Sequence, residues 1–273
     1  MSLTKIQYGL CLLVLISTLT VAGNKELQTP KGMAFIPGGI YKPLYGSKNN
    51  PSEIKVAPFY IDKYPVTNEE YMEFVKANPQ WRKSKAKRLF ADSNYLKNWN
   101  GDLELGNRVL PNSPVTDISW FAAKAYCEYY SKRLPTVAEW ELVGSAGAHR
   151  IDGYNDPKYV KQILEWYSIP TPEIIPPVGE KAKNYWGVYD MHGLVWEWTL
   201  DFFSALVSGD SRNDSSLERN LFCGAGAASA TDFKNYPAFM RFAFRSSLKA
   251  NYTTNNLGFR CAKNYIQGKV YEK

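Results

Sequence analysis

The stretch from Leu221 to Lys263 constrains this chain more than any other, because it joins four features that rarely occur together. It reads LFCGAGAASATDFKNYPAFMRFAFRSSLKANYTTNNLGFRCAK: a small-residue loop, two cysteines, an arginine series and a closing NLGFRC phrase. Gly224, Ala225, Gly226, Ala227, Ala228 and Ser229 leave the backbone almost bare. Such a run either adopts turns with φ > 0 or lets another group approach closely. Two readings fit, a site-bearing loop and a tightly packed structural one.

The N-terminus bounds the compartment. Residues 1–23 carry one lysine, Lys5, then an apolar run from Leu10 to Ile16 that continues to Val21 and ends in Ala22-Gly23. This is the layout of a secretory signal peptide, with a core too short for a comfortable membrane span. A retained anchor is the alternative. Cys11 lies inside the apolar run and Asn24 follows Gly23, so the arrangement for a lipid-modified cysteine is missing. No later stretch is apolar enough to span a bilayer, and the mature protein is expected to be soluble and exported, periplasmic or secreted. The formal charge of +7 favours acidic partners without naming one. The densest basic run, Trp81 to Arg88, has no aromatic interleaving and reads as a solvated face, so no nucleic-acid partner is expected.

Cysteine usage agrees with export. Beyond the leader the chain keeps Cys127, Cys223 and Cys261, an odd number that suggests one disulfide and one leftover thiol. The spacing does not suit zinc, because no two cysteines lie close together and the histidines are His149 and His192.

A polar spacer over 24–31 leads into one mixed domain over 32–266, followed by a tail at 267–273. Gly32 to Gly39 reads as a short strand stopped by a turn. Val56 to Asp62 reads as a second strand, with Pro58 placing it at an edge or a bulge. Thr67 and Glu70 have capping-box spacing, which predicts a helix to about Ala77 with Tyr71, Phe74 and Val75 inside. A second helix is predicted over Ser119 to Lys132 with Ala123, Cys127 and Tyr130 on one face. Thr136 and Glu139 form another capping box, starting a third helix toward Gly147. Ile169 to Pro177 is too rich in proline for a helix or a central strand and should be extended surface loop.

Several phrases in this order resemble the formylglycine-generating enzyme, or sulfatase-modifying-factor, family: GMAFIPGG, FYIDKYPVTNEEYMEF, PVTDISWFAAKAYCEYYSKRLPTVAEWE, NYWGVYDMHGLVWEW and RSSLKANYTTNNLGFRCAK. The likeness covers nearly all of residues 32–263. It implies a single α+β domain with a modified C-type-lectin-like fold and much irregular structure. It also implies a disulfide between Cys127 of AYC and Cys261 of GFRC, leaving Cys223 unpaired.

The chain departs from the family where the chemistry should be. Well-known members oxidise a substrate cysteine with a cysteine pair that holds Cu(I) in an RGGSWxCxxxxC segment; here Ser229 occupies the first place and no cysteine falls in the second. A hydroxyl does not replace a thiolate for soft Cu(I). The phrase GNxWEW reads Gly193-Leu194-Val195-Trp196-Glu197-Trp198. Leu194 thus removes an oxygen donor from a calcium site that needs about six to eight, and the expected cofactor set contains no firm calcium, copper or iron.

Trp196, Glu197, Trp198, Arg245, Asn256 and Arg260 match positions that build or border the family's pocket. They offer stacking surface, a carboxylate and guanidinium groups; equally, Glu197 and an arginine can form a satisfied ion pair beneath the tryptophans. Ser229, Cys223 and His192 are the catalytic candidates. His192, Met191 and Cys223, with Asp190 and Met240, are the candidate redox-metal ligands, and alternation along extended chain would put Asp190 and His192 on one side and Met191 on the other. A Ser229-His192-Asp190 hydrolase lacks a nucleophile elbow. The expectation is an exported family member without the usual cysteine pair, acting as an accessory or maturation factor for another exported protein, similar to members encoded beside copper nitrite reductases. A metal-dependent oxidoreductase with a different site and a lectin-like binding module are the rival classes.

Overall fold

A computed structural model describes residues 29–43, 53–203 and 236–267. The leader, Cys223, Ser229 and residues 268–273 of the tail lie outside the described residues.

The N-terminal strand β1 (Met33–Ile36) pairs antiparallel with β4 (Phe59–Asp62), which pairs in turn with β9 (Ala262–Asn264), in the order β1-β4-β9. The register sets Ile36 opposite Phe59 and Phe59 opposite Asn264, so the two ends of the domain meet on one strand. The segment read as one strand over Val56 to Asp62 is two. β3 (Ile54–Val56) pairs with β2 (Gly39–Tyr41) in a separate ladder, and Ala57-Pro58 separates it from β4. Pro58 has no N–H for a ladder and a fixed φ, so it breaks the strand, and β4 becomes central instead of an edge. Gly38 makes the turn possible: its φ is +81°, and a Cβ there would lie 2.3 Å from the Val56 carbonyl oxygen.

Helix α1 (Asn68–Ala77) carries the complete Thr67/Glu70 capping box and buries Tyr71, Phe74 and Val75. Thr67→Ala removes an acceptor for an otherwise unpaired helix N–H and should cost about 1 kcal/mol in urea unfolding. A loss below about 0.3 kcal/mol would show that packing alone holds this helix start. After the two-stranded hairpin β5 (Trp99–Gly101) and β6 (Glu104–Leu105), α2 (Trp120–Tyr129) starts at the Ser119 cap. It stops before Lys132, and Ser131 turns left-handed at φ +53°. Ala123 and Cys127 face inward as expected, but Tyr130 lies past the helix and is 40% exposed, and Tyr126 takes the inner place. Cys127 is joined to Cys261, both fully buried, with Cα atoms 5.6 Å apart.

Helix α3 (Val137–Gly144) carries the second capping box, and its Glu139 also takes two hydrogen bonds from Arg133. It ends at Gly144, three residues short of Gly147. Two helices follow that the sequence reading passed over, α4 (Pro157–Ser168) and α5 (Tyr236–Ser246). Asp156 caps the first, with Pro157 at its opening position, a favoured start. Residues 169–177 form no helix or strand. The last ladder is a parallel pair, β7 (Trp196–Glu197) beside β8 (Leu257–Gly258). The fold is therefore α+β with much irregular backbone. One core gathers around Tyr71, Tyr126, Trp198 and Phe259, and a second around Phe59, Ile61, Trp140 and Met191. Among the described residues no helix is long and apolar enough to cross a membrane.

Candidate functional site

The β7/β8 pair brings the WEW phrase against NLGFRC. Trp196 N–H donates to Asn256 O (2.8 Å) and Trp198 N–H to Gly258 O (3.0 Å). Gly258 is required here, since a Cβ would lie 2.7 Å from the Val115 carbonyl. Side chains alternate across an extended segment, which sends Glu197 to the side opposite both tryptophans.

Glu197 and Arg260 form a closed pair with both side chains fully buried. Arg260 Nε and Nη2 donate to Glu197 Oε1 at 3.0 and 2.8 Å, and Trp140 Nε1 donates to Oε2 at 2.7 Å. The remaining guanidinium donors reach the carbonyls of Asp62, Lys63 and Tyr189. Every polar atom of the pair is used internally, so neither residue faces a ligand cleft. Trp198 is equally enclosed, its indole N–H donating to Ile118 O at 2.7 Å. Asn256 is half-buried and accepts from Thr254 Oγ1. Of the six expected pocket residues, Trp196 and Asn256 are half-buried and the other four are buried. The Trp196 ring stacks on Tyr167 (4.9 Å) and Phe244 (4.6 Å) and meets Trp166 (5.0 Å), a half-buried aromatic wall.

Arg245 belongs to a second charge cluster, whose other members the sequence reading missed. Glu141 on α3 takes hydrogen bonds from Arg241 Nε (2.9 Å) and Nη2 (2.7 Å) and from Arg245 Nη1 (2.6 Å). Arg241 also donates to the hydroxyls of Tyr167 and Tyr154, and both guanidiniums lie over the Trp140 ring. Burial would raise the Glu141 pKa, but the two arginines prevail and hold it down, at about 2. The signal was present: Arg241 and Arg245 are four residues apart and share a helix face.

Among the described residues, the candidate metal ligands Asp190, Met191 and His192 are engaged elsewhere. Asp190 takes φ +54°, which breaks the expected alternation. Its carboxylate accepts from Gly179 N–H (2.6 Å), while Met191 packs in the second core. His192 pairs through Nε2 with Gly144 O (2.8 Å), and burial and the Arg241 charge push its pKa down to about 3, so it is neutral at physiological pH. Among the described residues no three His, Cys, Asp or Glu side chains are grouped to hold a metal. The calcium-bearing arrangement also fits poorly, because Leu194, where an oxygen donor is expected, is buried and apolar.

With this geometry in view, comparison with known proteins is decisive for ancestry. Residues 18–265 match the sulfatase-modifying factor enzyme 1-like domain. The chain belongs to that family. It is 26% identical over 306 residues to the inactive C-alpha-formylglycine-generating enzyme 2 of Bos taurus, covering 93% of this chain and 96% of that protein. It is 27% identical over 234 residues to the formylglycine-generating enzyme of Thermomonospora curvata, covering 65% and 74%. A match of 27% over 242 residues to the serine/threonine-protein kinase pkn1 of Chlamydia caviae covers 85% of this chain, and the chain spans 38% of that kinase. Among solved structures, PvdO from Pseudomonas aeruginosa aligns with a TM-score of 0.46 at 17% identity, over 85% of this chain and 94% of that one. The closed Glu197–Arg260 pair is thus how this sulfatase-modifying-factor-like domain is built around its WEW and GFRC phrases.

Proposed function

We propose that this family member does not generate formylglycine and serves as an accessory or maturation factor for another exported protein. The observation that carries the reading is Ser229, which stands where the resemblance places the first Cu(I)-holding cysteine. Likeness along nearly the whole chain to a relative named as inactive supports it. The half-buried wall of Trp196, Tyr167, Phe244 and Trp166 suits a polypeptide partner, since aromatic side chains supply contact area at low entropic cost. Export agrees with the leader and with a Cys127–Cys261 crosslink, which an oxidising compartment preserves.

The test has three arms. Mature protein supplied with Cu(I), oxygen and a Cys-x-Pro-x-Arg peptide is expected to leave the cysteine unchanged; formylglycine in that peptide overturns the reading. A photo-crosslinker beside Trp196 is expected to capture one exported protein from the native compartment, and Trp196→Ala to abolish that capture. Stoichiometric copper or iron that disappears in Cys223→Ser would instead favour a redox enzyme with its own metal.

A further inference from the structure

A cleft lined by none of the four aromatic-wall residues holds a buried carboxylate with one oxygen that takes no hydrogen bond among the described residues. It encloses about 270 Å³ between the segment around Asn98, the 108–117 segment and the proline-rich loop at 171–175. Asp117 lines it and is only 2% exposed. Asn98 Nδ2 donates to Asp117 Oδ2 at 3.0 Å, and Oδ1 receives no hydrogen bond among the described residues. None of the ion pairs among those residues includes Asp117.

The position is held with some strain. Asp117 has φ +57°, and Leu96, also lining the cleft, has φ +49°, which is unusual for a bulky side chain. The Asp117 carbonyl accepts from Leu96 N–H at 3.0 Å, so the two left-handed residues brace each other. Leu96 N–H and Asp117 O serve the backbone, and of the carboxyl oxygens only Oδ1 takes no hydrogen bond among the described residues. At the rim, Arg108 and Glu173 are engaged with each other. The uncompensated charge of the lining is therefore that of Asp117. Val109, Leu110, Pro172 and Ile175 provide apolar walls beside it.

We propose that this cleft binds a cation carried on a methylene stem, a primary ammonium or guanidinium whose N–H groups satisfy Asp117 Oδ1 while the stem lies along the apolar walls. A buried carboxylate with only one neutral hydrogen-bond donor is costly, and a charge-assisted hydrogen bond to a cation relieves that cost. The same chemistry arrives as a small free amine or as the end of a lysine or arginine side chain of a partner polypeptide. Burial pushes the Asp117 pKa up to about 6, opposed by Lys97 and Lys83 and assisted by Asp92. Arg108 and Glu173 are the other charged groups of the cleft. Since only the ionised carboxyl attracts a cation, affinity is expected to fall about tenfold from pH 7 to pH 5.

The experiment titrates the full mature chain with n-butylammonium, with a capped lysine methylamide and with n-butanol, by calorimetry and ligand-observed NMR. Binding of either amine but not of n-butanol is expected, weakened at least tenfold in Asp117→Asn. Asparagine tolerates the left-handed backbone, keeps an acceptor for Asn98 and removes the buried charge, so the urea midpoint should not fall. Val109→Phe narrows the cleft with Asp117 untouched and is expected to lose the same affinity, which keeps the test usable if Asp117→Asn misfolds. Binding of n-butylammonium alone assigns a free amine, and binding of the capped lysine alone assigns a partner side chain. The proposal is overturned if neither amine binds at pH 7, if n-butanol binds equally, or if folded Asp117→Asn retains wild-type affinity.

Discussion

Arg260→Met is expected to lower the free energy of unfolding by about 3–5 kcal/mol, the usual cost of removing one partner from a buried ion pair. Methionine preserves much of the length and the packing, so the loss measures the charge. Glu197 would keep the Trp140 indole N–H and lose its other donors, all of which come from Arg260. The carbonyls of Asp62, Lys63 and Tyr189 would lose a donor as well. Urea unfolding at pH 7 reads the effect. Adding Glu197→Leu should recover only part of it, because the apolar replacement removes the stranded carboxylate but leaves the Asp62 and Tyr189 carbonyls without the Arg260 donor and the Trp140 indole N–H without its acceptor. A single-mutant loss under about 1 kcal/mol would place the pair among solvent-exposed bridges and contradict its burial.

This pair also shows how much of the molecule could be read from sequence. Local signals were legible: Thr67/Glu70 and Thr136/Glu139 are three-residue patterns whose bonds form within one turn, and both helices start where the patterns place them. Pro58 was legible as a disturbance, but whether it marks an edge or a break depends on β9, which arrives about 200 residues later to make β4 central. The WEW and GFRC phrases identified the family, yet sequence alone left Glu197 and Arg260 open between a ligand pocket and an internal pair. Burial decides that choice, and burial is a property of the assembled fold. Backbone choices at Asp190 and Asp117 were hidden for a related reason. Aspartate tolerates positive φ without requiring it, so the residue type does not announce the turn.

Arg241 is the clearest case of a signal that the sequence reading missed. Arginine on a helix is usually solvated, yet Arg241 is 1% exposed because Glu141, 100 residues earlier in the chain, meets it inside. Glu141→Gln is therefore expected to cost at least about 3–5 kcal/mol, since it leaves two buried guanidiniums without a counter-ion while keeping the side-chain shape. Arg245→Met should cost less, about 1.5–3 kcal/mol, because Arg241 retains its bidentate grip on Glu141. The difference has a pH signature. With a pKa lowered from 4.5 to about 2, the ionised carboxyl contributes stability that is fully present above pH 4.5. That contribution is lost as pH falls through the folded value. The stability gap between wild type and Glu141→Gln should thus be constant from pH 7 to about 4.5 and narrow progressively toward pH 2. A gap that stays unchanged down to pH 2.5 would mean that hydrogen-bond acceptance, and not charge, is what Glu141 contributes. In that event the charges of the two arginines would have to be offset by Tyr154, Tyr167 and the face of Trp140, contacts too weak individually to justify burying two positive charges on one helix.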